Sequence, residues 1–582
     1  MLWPSSLQLD MEFIPTDEQK AIIEADLTSQ CVIACPGSGK TATAVRRLVE
    51  VRRRLGDGRG HVALFSYSNI AVEMFRREYR VLTSALPDLS PRVLIETVDS
   101  FLTTYVLRPH GARAMCAPRQ PFLVTGSEPF LAGHKIFDGK YPHEISELRV
   151  SFKADGSLDC TLQAGGLRIP IEEWRAVQAI EKLGKIGAYT HELARYWTIR
   201  TLVADNRLLG ALCRRYPQVL VDEAQDVGPL HGVLLSVLAE GGTTVSLIGD
   251  PHQGIYDFAG ADGSFLLEYS KAAGVKSFPL SQNRRSLPSI IDVANVLAGT
   301  KSTPFREPSA RKHGVYYVRY DEADLDAAMA AFVATLEAHA YEKHEAVVVC
   351  RGNSTVNRLI GGVEGVGRGA TAQFARAAVL RDRNGDIAKA FECAANAALR
   401  LLQAPPETLR KELLGAAPEG DAKTLRRLLW ALLRSPSAGI PEAKLPAKLK
   451  WHPALKKRVE AFLTTVEANM GYSRSASWVN NLTVSGLSDA PLWETDLAGK
   501  AWSSVRVDTV HQVKGEGIPV VLYLARTSDV TKLLEGTSTE DGRIGYVAVT
   551  RARDLLLLGV PDTAKKPMLN ELEGRGFLPW TH

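Results

Sequence analysis

The sequence predicts an α/β fold with parallel sheets, and three strand-to-loop junctions predict it. The first is Cys31-Val-Ile-Ala34-Cys-Pro-Gly37-Ser38-Gly39-Lys40-Thr41, an apolar run that enters a Gly-rich turn and leaves it as a helix continuing through Val45, Leu48 and Val49. The second is Val219-Leu-Val-Asp222-Glu223-Ala-Gln225-Asp226, an apolar run ending in acids. The third is Val245-Ser-Leu-Ile-Gly249-Asp250-Pro-His-Gln253, followed by Tyr256 and Phe258. Strands buried on both faces of a parallel sheet read as continuous apolar runs. Ligands of such sheets gather at the carboxyl ends of the strands, where all three runs place their polar groups.

Each junction suits one part of phosphate chemistry. In the first, backbone N–H groups of Gly37, Ser38 and Gly39 can wrap phosphates, helped by the helix N-terminus. Lys40 reaches the β/γ-phosphates and the Thr41 hydroxyl holds Mg²⁺. The strict pattern asks for Gly where Ala34 stands. In the second, Asp222 suits Mg²⁺ and Glu223 suits the base that orients an attacking water. In the third, Gln253 can sense a γ-phosphate. Tyr256 and Phe258 are either stacking faces for bases or ordinary core aromatics, and the residues alone leave both open.

Composition bounds the rest. A chain of 582 residues exceeds one hydrophobic core, so two to four domains are expected. The formal net charge of +5 permits a nucleic-acid partner without arguing for one. Seven scattered Cys without a Cys-x-x-Cys pair read as reduced thiols of a cytoplasmic protein rather than a zinc site. No basic end followed by an apolar run opens the chain, so no signal peptide is expected. No apolar stretch approaches the roughly 20 residues of a membrane helix, so no membrane partner is expected.

With these blocks in hand, the chain resembles the UvrD/Rep family of superfamily-1 helicases, and further blocks follow in the family's order. Phe13-Ile-Pro-Thr-Asp-Glu-Gln19 resembles the motif whose Gln reads adenine. Ser66-Tyr67-Ser68-Asn69 and Thr97-Val-Asp99-Ser100-Phe101 resemble blocks that contact single-stranded DNA. Gln282-Asn283-Arg284-Arg285-Ser286 resembles motif IV, with Arg285 on the phosphate-contacting arginine. Val347-Val-Val-Cys-Arg351-Gly-Asn353 resembles the strand that follows it. Thr509-Val-His511-Gln-Val-Lys514-Gly515-Glu516 resembles motif V, and Tyr546-Val-Ala-Val-Thr550-Arg551-Ala552 resembles motif VI with Arg551 as arginine finger.

The resemblance implies two RecA-like domains with ATP and Mg²⁺ in the cleft between them. Lys40, Asp222, Glu223, Gln253, Arg285 and Arg551 are the implied catalytic set. Gln19, Ala34, Gly37, Ser38, Gly39, Lys40, Thr41, Arg284 and Glu516 would hold the nucleotide, and Thr41 and Asp222 the metal. Tyr67, Ser68, Asn69, Ser100, Tyr256, Phe258, Thr509 and His511 would hold the strand. The implied activity is ATP-driven 3′–5′ movement on single-stranded DNA and at single-strand/duplex junctions. The alternative is an ATP-hydrolysing regulatory subunit of a nuclease-containing antiviral complex, with an OLD-family nuclease as partner, by similarity to short relatives in Gabija systems.

The chain also departs from the family. The adenine-sandwiching Arg and Tyr are Ala42 and Arg284. The Lys of the first DNA block is Ile70, the His of the second is Asp99, and the Trp-Arg of motif III is Phe258-Ala259. In motif V one residue is missing, which puts the ribose-contacting Glu at Glu516.

The expected division is 1–108 and 186–279 for the first RecA-like domain, around an insertion at 109–185. The second takes 280–381 and 503–582, around an insertion at 382–502. Alternation on either side of Asp155-Gly156 predicts a hairpin in the first insertion. Helical spacing of Ala and Leu in 391–402 and 425–433 predicts helices in the second. Its basic stretch, Lys444 to Arg458 with Trp451, is either a duplex or partner contact or a solvated helix face.

Overall fold

The computed structural model describes residues 13–581 other than 57, 59, 85, 87–91, 127, 132, 154–156, 165–166, 257–259, 309, 362–368, 384, 404, 416–419 and 493–504. Helix α1 (Asp17–Glu24) opens on a capping box: Thr16 Oγ1 accepts from the Gln19 N–H, and Gln19 Oε1 accepts from the Thr16 N–H. Strand β1 (Gln30–Ala34) feeds helix α2 (Lys40–Arg54), whose Ala44, Val45, Leu48 and Val51 are fully buried. Each such Val or Leu contributes about 1.5–3 kcal/mol relative to exposure. Arg47 is buried on the same helix and donates to the carbonyls of Ile23, Ala25 and Asp26. These are carbonyls at and just past the C-terminus of α1, so a charged group that costs energy to bury docks α1, and with it Gln19, against α2.

Strand β2 (Val62–Ser66), helix α3 (Asn69–Thr83) and strand β3 (Val93–Thr97) follow. The first insertion then supplies β4 (Leu148–Phe152), β5 (Leu158–Ala164) and β6 (Leu167–Ile171), an antiparallel sheet. Its register pairs Phe152 with Leu158, as a hairpin about Asp155-Gly156 requires; the turn itself lies outside the described residues. Leu148, Val150, Cys160 and Leu162 bury against helix α4 (Glu173–Gly184). Helix α5 (His191–Ala204) leads back to strand β7 (Gln218–Val221), helix α6 (Pro229–Glu240), strand β8 (Thr244–Gly249) and strand β9 (Lys276–Leu280). The first sheet is wholly parallel in the order β9-β1-β8-β7-β2-β3.

The second body repeats the plan. Strands β10 (Gly314–Tyr320), β11 (Ala346–Cys350), β12 (Arg506–Thr509), β13 (Ile518–Leu524), β14 (Ala552–Pro561) and β15 (Leu578–Pro579) form a parallel sheet ordered β12-β11-β13-β14-β10-β15. Each sheet carries a buried apolar cluster on either face, as two RecA-like α/β domains require.

The second insertion is helical, and its core begins before the expected boundary at 382. Helices α7 (Gly369–Asp382) and α8 (Ile387–Leu401) pack through fully buried alanines, among them Ala375, Ala378, Ala394 and Ala398. Helices α9 (Gly420–Arg434) and α10 (His452–Met470) complete it. Trp451 is fully buried in this core, and its indole N–H donates to the Pro441 carbonyl. It is therefore no surface handle. Arg458 is likewise occupied, donating to the carbonyls of Pro436 and Gly439, while Lys456 and Lys457 are exposed. Among the described residues no helix is long and apolar enough to cross a membrane.

Candidate nucleotide and nucleic-acid site

The phosphate loop sits between β1 and α2 at the cleft. Gly37 and Gly39 adopt φ of +69° and +80°, conformations that side-chain-bearing residues rarely take. A Cβ on Gly37 would lie 2.4 Å from Arg285 Cβ, and one on Gly39 would lie 2.9 Å from Gln19 Nε2. The loop is thus in contact with the second body before any ligand is considered. Ala34 still belongs to β1, paired with Leu280, and its methyl is buried in the core. That accounts for the tolerance of a side chain where the strict pattern has Gly. Gln19 is buried, with Nε2 donating to the Ser38 carbonyl at 3.1 Å.

β7 delivers Asp222 and Glu223 to the floor. Asp222 is buried, and its Oδ1 has no hydrogen-bond partner. Burial, with Glu223 beside it, pushes this carboxyl well up. Glu223 is held at φ +52°, a strained conformation for a residue with a side chain. Burial works against its charge, but Lys40, Lys514 and Arg551 outweigh burial and keep the carboxylate below its usual range. At the end of β8, Asp250 Oδ2 is a second buried acceptor without a partner. These orphaned acceptors fit a hard dication beside the Thr41 hydroxyl, because such an ion takes oxygen ligands and relieves buried carboxylate charge. Asp250 was not singled out by sequence reasoning, although it occupies the same strand-end position as Asp222.

The second body closes the site. Arg551 donates through Nη2 to Gln253 Oε1 at 3.1 Å, and through Nη1 to the Glu516 carbonyl at 3.2 Å. Burial, then the neighbouring Arg285, push its guanidinium down to about 9. Arg285 donates to the carbonyls of Gly515 at 3.2 Å and Thr550 at 3.4 Å. The Gln253–Tyr256 loop is gripped at every step. Arg543 donates to the Gly254 carbonyl, His511 Nε2 meets the Ile255 carbonyl at 3.2 Å, and His252 meets Thr537 at 2.8 Å. Lys514 donates to both oxygens of Asp226 at 2.6 and 2.7 Å, with Nζ 4.6 Å from the Tyr256 ring centre. This interdomain ion pair was invisible in the sequence, since its members lie 288 positions apart.

One cavity of about 910 Å³ joins much of the expected set. Its walls include Gly37, Ser38, Gly39, Lys40 and Thr41 from the loop, and Asp222, Glu223 and Gln253 from the strand ends. Arg285, Arg551 and Glu516 close it from the second body. Glu516 is also paired with both terminal nitrogens of Arg506, at 2.6 and 2.9 Å. Gln19, Ala34 and Arg284 are not among the lining residues. Arg284 nonetheless stays close: it donates to the Ile14 carbonyl at 3.0 Å, and its guanidinium lies 4.3 Å from the Phe305 ring centre.

Of the expected strand-binding residues, Tyr67, Ser68, Tyr256 and His511 line the same cavity. The Tyr67 ring meets His231 edge-on at 5.2 Å. Ser68 caps α3, and Asn69 opens that helix, exposed. Ser100 and Thr509 do not line the cavity. The Ser100 hydroxyl donates to Glu96, and the buried Thr509 donates to Gln512. Phe258 lies outside the described residues. Asp99, where the family has His, is paired with Arg195 at 2.8 Å and His231 at 3.1 Å.

Comparison with known proteins agrees with this architecture. Residues 186–274 match the UvrD/REP helicase N-terminal domain. The chain is similar to the ATP-dependent DNA helicase UvrD2 of Mycobacterium tuberculosis, with 25% identity over 380 residues, 58% of this chain and 52% of that protein. It is similar to the putative ATP-dependent DNA helicase YjcD of Bacillus subtilis, with 22% identity over 307 residues, 50% of this chain and 40% of that protein. A probable DNA helicase of Mycoplasma pneumoniae is 24% identical over 302 residues, 48% of this chain and 54% of that protein. The chain thus spans about half the length of the curated relatives it matches. With the matched domain inside the first of two RecA-like bodies and the ordered blocks meeting at their cleft, this chain resembles the UvrD-like helicases of superfamily 1.

Proposed function

We propose that the protein is an ATP-driven motor that moves 3′ to 5′ along single-stranded DNA and works at single-strand/duplex junctions. The observation that carries this reading is the Arg551–Gln253 contact across the cleft, over a phosphate loop. Lys40 would take the β/γ-phosphates, and Glu223 would orient the attacking water. Arg285 and Arg551 would meet the charge that develops on the transferring phosphoryl group. A Mg²⁺ held by Thr41 and Asp222 would neutralise phosphate charge. Both arginines belong to the second body, so turnover requires a closed cleft, and each round of closing and opening shifts the bodies along a strand. Tyr67 and Tyr256 offer stacking faces that ignore base identity.

The test is single-strand-stimulated ATP hydrolysis paired with displacement of 3′-tailed and 5′-tailed duplexes. Glu223→Gln is expected to bind ATP and hydrolyse it about 100-fold more slowly, the scale of a lost general base. Near-normal turnover in that variant removes Glu223 from the mechanism. Displacement from 5′-tailed substrates alone overturns the direction, and ATPase indifferent to single strands overturns the motor.

A further inference from the structure

The catalytic cavity has one wall that neither hydrolysis nor the family's strand-contacting blocks account for. It is the polar face of the β4–β5–β6 sheet. Side chains alternate across a strand, so Leu148, Val150, Cys160 and Leu162 enter the insertion's core while their neighbours point the other way. Those neighbours fall opposite one another: Arg149 with Thr161, Ser151 with Asp159, and Gln163 with Arg168. All six line the same cavity as Lys40, Tyr67, Tyr256 and Lys514.

This polar face lines an open cleft, so its side chains are free to exchange water for a polar ligand. The set is rich in donors: two guanidiniums, a carboxamide and two hydroxyls against one carboxylate. Arg149 is held in place by its own Nη1, which donates to the carbonyls of Ser146 at 2.8 Å and Leu148 at 2.9 Å. Arg168 is exposed and reaches Asp159 at 3.5 Å, so most of its fork faces outward. Opposite, the Arg195 charge is already compensated by Asp99 and Glu192. Of the guanidiniums at this end, Arg168 and Arg195 each pair with carboxylates, whereas the Arg149 bonds go to carbonyls. The lining of this cavity of about 910 Å³ runs from the phosphate loop to the sheet, so the sheet face shares one cleft with Lys40.

We propose that this sheet face is a third wall of the nucleic-acid site. Arg149 and Arg168 take backbone phosphates, and Ser151, Thr161 and Gln163 hydrogen-bond to sugar or base edges of a strand stacked on the tyrosines below. Cations, aromatic faces and uncharged hydrogen-bonding groups in one groove are what a single strand engages, whereas a protein segment would find no apolar anchor on this face. The proposal rests on the motor reading above and extends it to residues outside the family's blocks.

The test uses the full-length chain with Gln163→Ala/Arg168→Ala, and Arg168→Lys as the variant that keeps the charge. Binding of labelled oligo-deoxythymidine and oligouridine is followed by anisotropy across a salt series. The expected result is about tenfold weaker binding of the double variant. Its salt slope should be shallower by about 0.7, the share of one lost phosphate contact on a single strand, and Arg168→Lys should restore that slope. Equal loss on both oligonucleotides assigns the wall to phosphates and bases, and loss on one alone assigns it to the sugar. If the wild type binds and the double variant binds equally well with the same slope, the sheet proposal fails by itself. If the wild type binds neither oligonucleotide, the motor reading fails and the sheet proposal goes with it.

Discussion

Arg551 of the second body and Gln253 of the first are joined by a 3.1 Å hydrogen bond, and both side chains are buried. The Gln253 carboxamide nitrogen is buried without a partner, so the bond uses one end of the group and leaves the other unsatisfied. On the proposed mechanism a γ-phosphate would be met by a donor from each body. Arg551→Ala is therefore expected to lower turnover about 10³-fold or more, the scale of a lost arginine finger, with weaker effect on nucleotide affinity. Gln253→Ala should lower strand-stimulated turnover more than unstimulated turnover, because the Gly254 and Ile255 carbonyls that follow it are fastened to the second body. Equal losses in both would reduce Gln253 to a simple phosphate contact. Steady-state ATPase with and without single strands distinguishes the outcomes.

Asp222 leads to a prediction about protons. Its folded pKa is raised by burial and by Glu223, so without a bound cation the folded chain holds a proton that the unfolded chain releases near pH 4. Its contribution to stability is greatest below that pH and declines as pH rises from about 4 toward the raised value. A dication on Asp222 demands the charged form. Binding of Mg-ATP near neutral pH should therefore release protons, measured by calorimetry in buffers of different ionisation enthalpy. Asp222→Asn should abolish the release. Buffer-independent heats in the wild type would place the cation elsewhere.

The Lys514–Asp226 pair is buried on both sides, with side-chain exposures of 10% and 7%. Breaking a buried pair by removing one partner costs about 3–5 kcal/mol, because a charge is left alone. Asp226 is already pushed up to about 6 by burial, against the pull of Lys514. Lys514→Ala should raise it further and loosen the two bodies, seen as a lower melting temperature and weaker nucleotide binding. Lys514→Met/Asp226→Leu should recover most of the lost stability, since neither charge remains. If the single variant melts like the wild type, the pair does not hold the bodies together.

Arg284 stands where the family has an adenine-stacking Tyr, and Ala42 removes the opposite wall. The guanidinium is stacked on Phe305 and tied to the Ile14 carbonyl, so it presents a fixed plane. A plane of this kind stacks on any base. Gln19 is partly committed, with Oε1 capping α1 and Nε2 on Ser38. Discrimination between ATP and GTP should then be within about tenfold, about 1.4 kcal/mol. Arg284→Ala should raise the KM for both nucleotides alike. A strict ATP requirement in competition assays would contradict this reading.

The parts legible in the sequence were those where chemistry fixes a residue type at a strand end. Lys40, Asp222, Glu223 and Gln253 could be read because each follows an apolar run. Contacts made only by folding could not. Phe305 lies far along the chain from the Gln19 region it serves through Arg284, and Lys514–Asp226 spans both bodies. The sheet's polar face was hidden for another reason. Alternation announces a hairpin but does not say what its outer face meets. Trp451 was misplaced by local geometry. A π-helical turn runs Ala447–Trp451, with the Trp451 N–H bonded to the Pro446 carbonyl, and the extra residue per turn shifts the phase of every side chain.

That shift reassigns the basic stretch of the helical insertion. Lys448, Lys450, Lys456 and Lys457 are exposed, with Leu449 71% exposed among them. Arg458 is not part of this surface, because it satisfies the carbonyls of Pro436 and Gly439. A combined substitution of all three residues from Lys456 to Arg458 would mix a surface effect with a folding one. Lys456→Ala/Lys457→Ala is the clean variant. It should keep the wild-type melting temperature and single-strand-stimulated ATPase while weakening binding to a single-strand/duplex junction. The salt slope should become shallower if duplex phosphates are the contact, by about 0.9 per phosphate lost. An unchanged slope together with loss of a co-purifying protein would assign the surface to a protein partner instead. Arg458→Ala should cost about 1 kcal/mol in stability by removing hydrogen bonds to partly buried carbonyls, and Trp451→Ala about 3–5 kcal/mol by opening the core. The division of roles is wrong if the double lysine variant loses ATPase along with junction binding, or if Arg458→Ala weakens junction binding at unchanged stability.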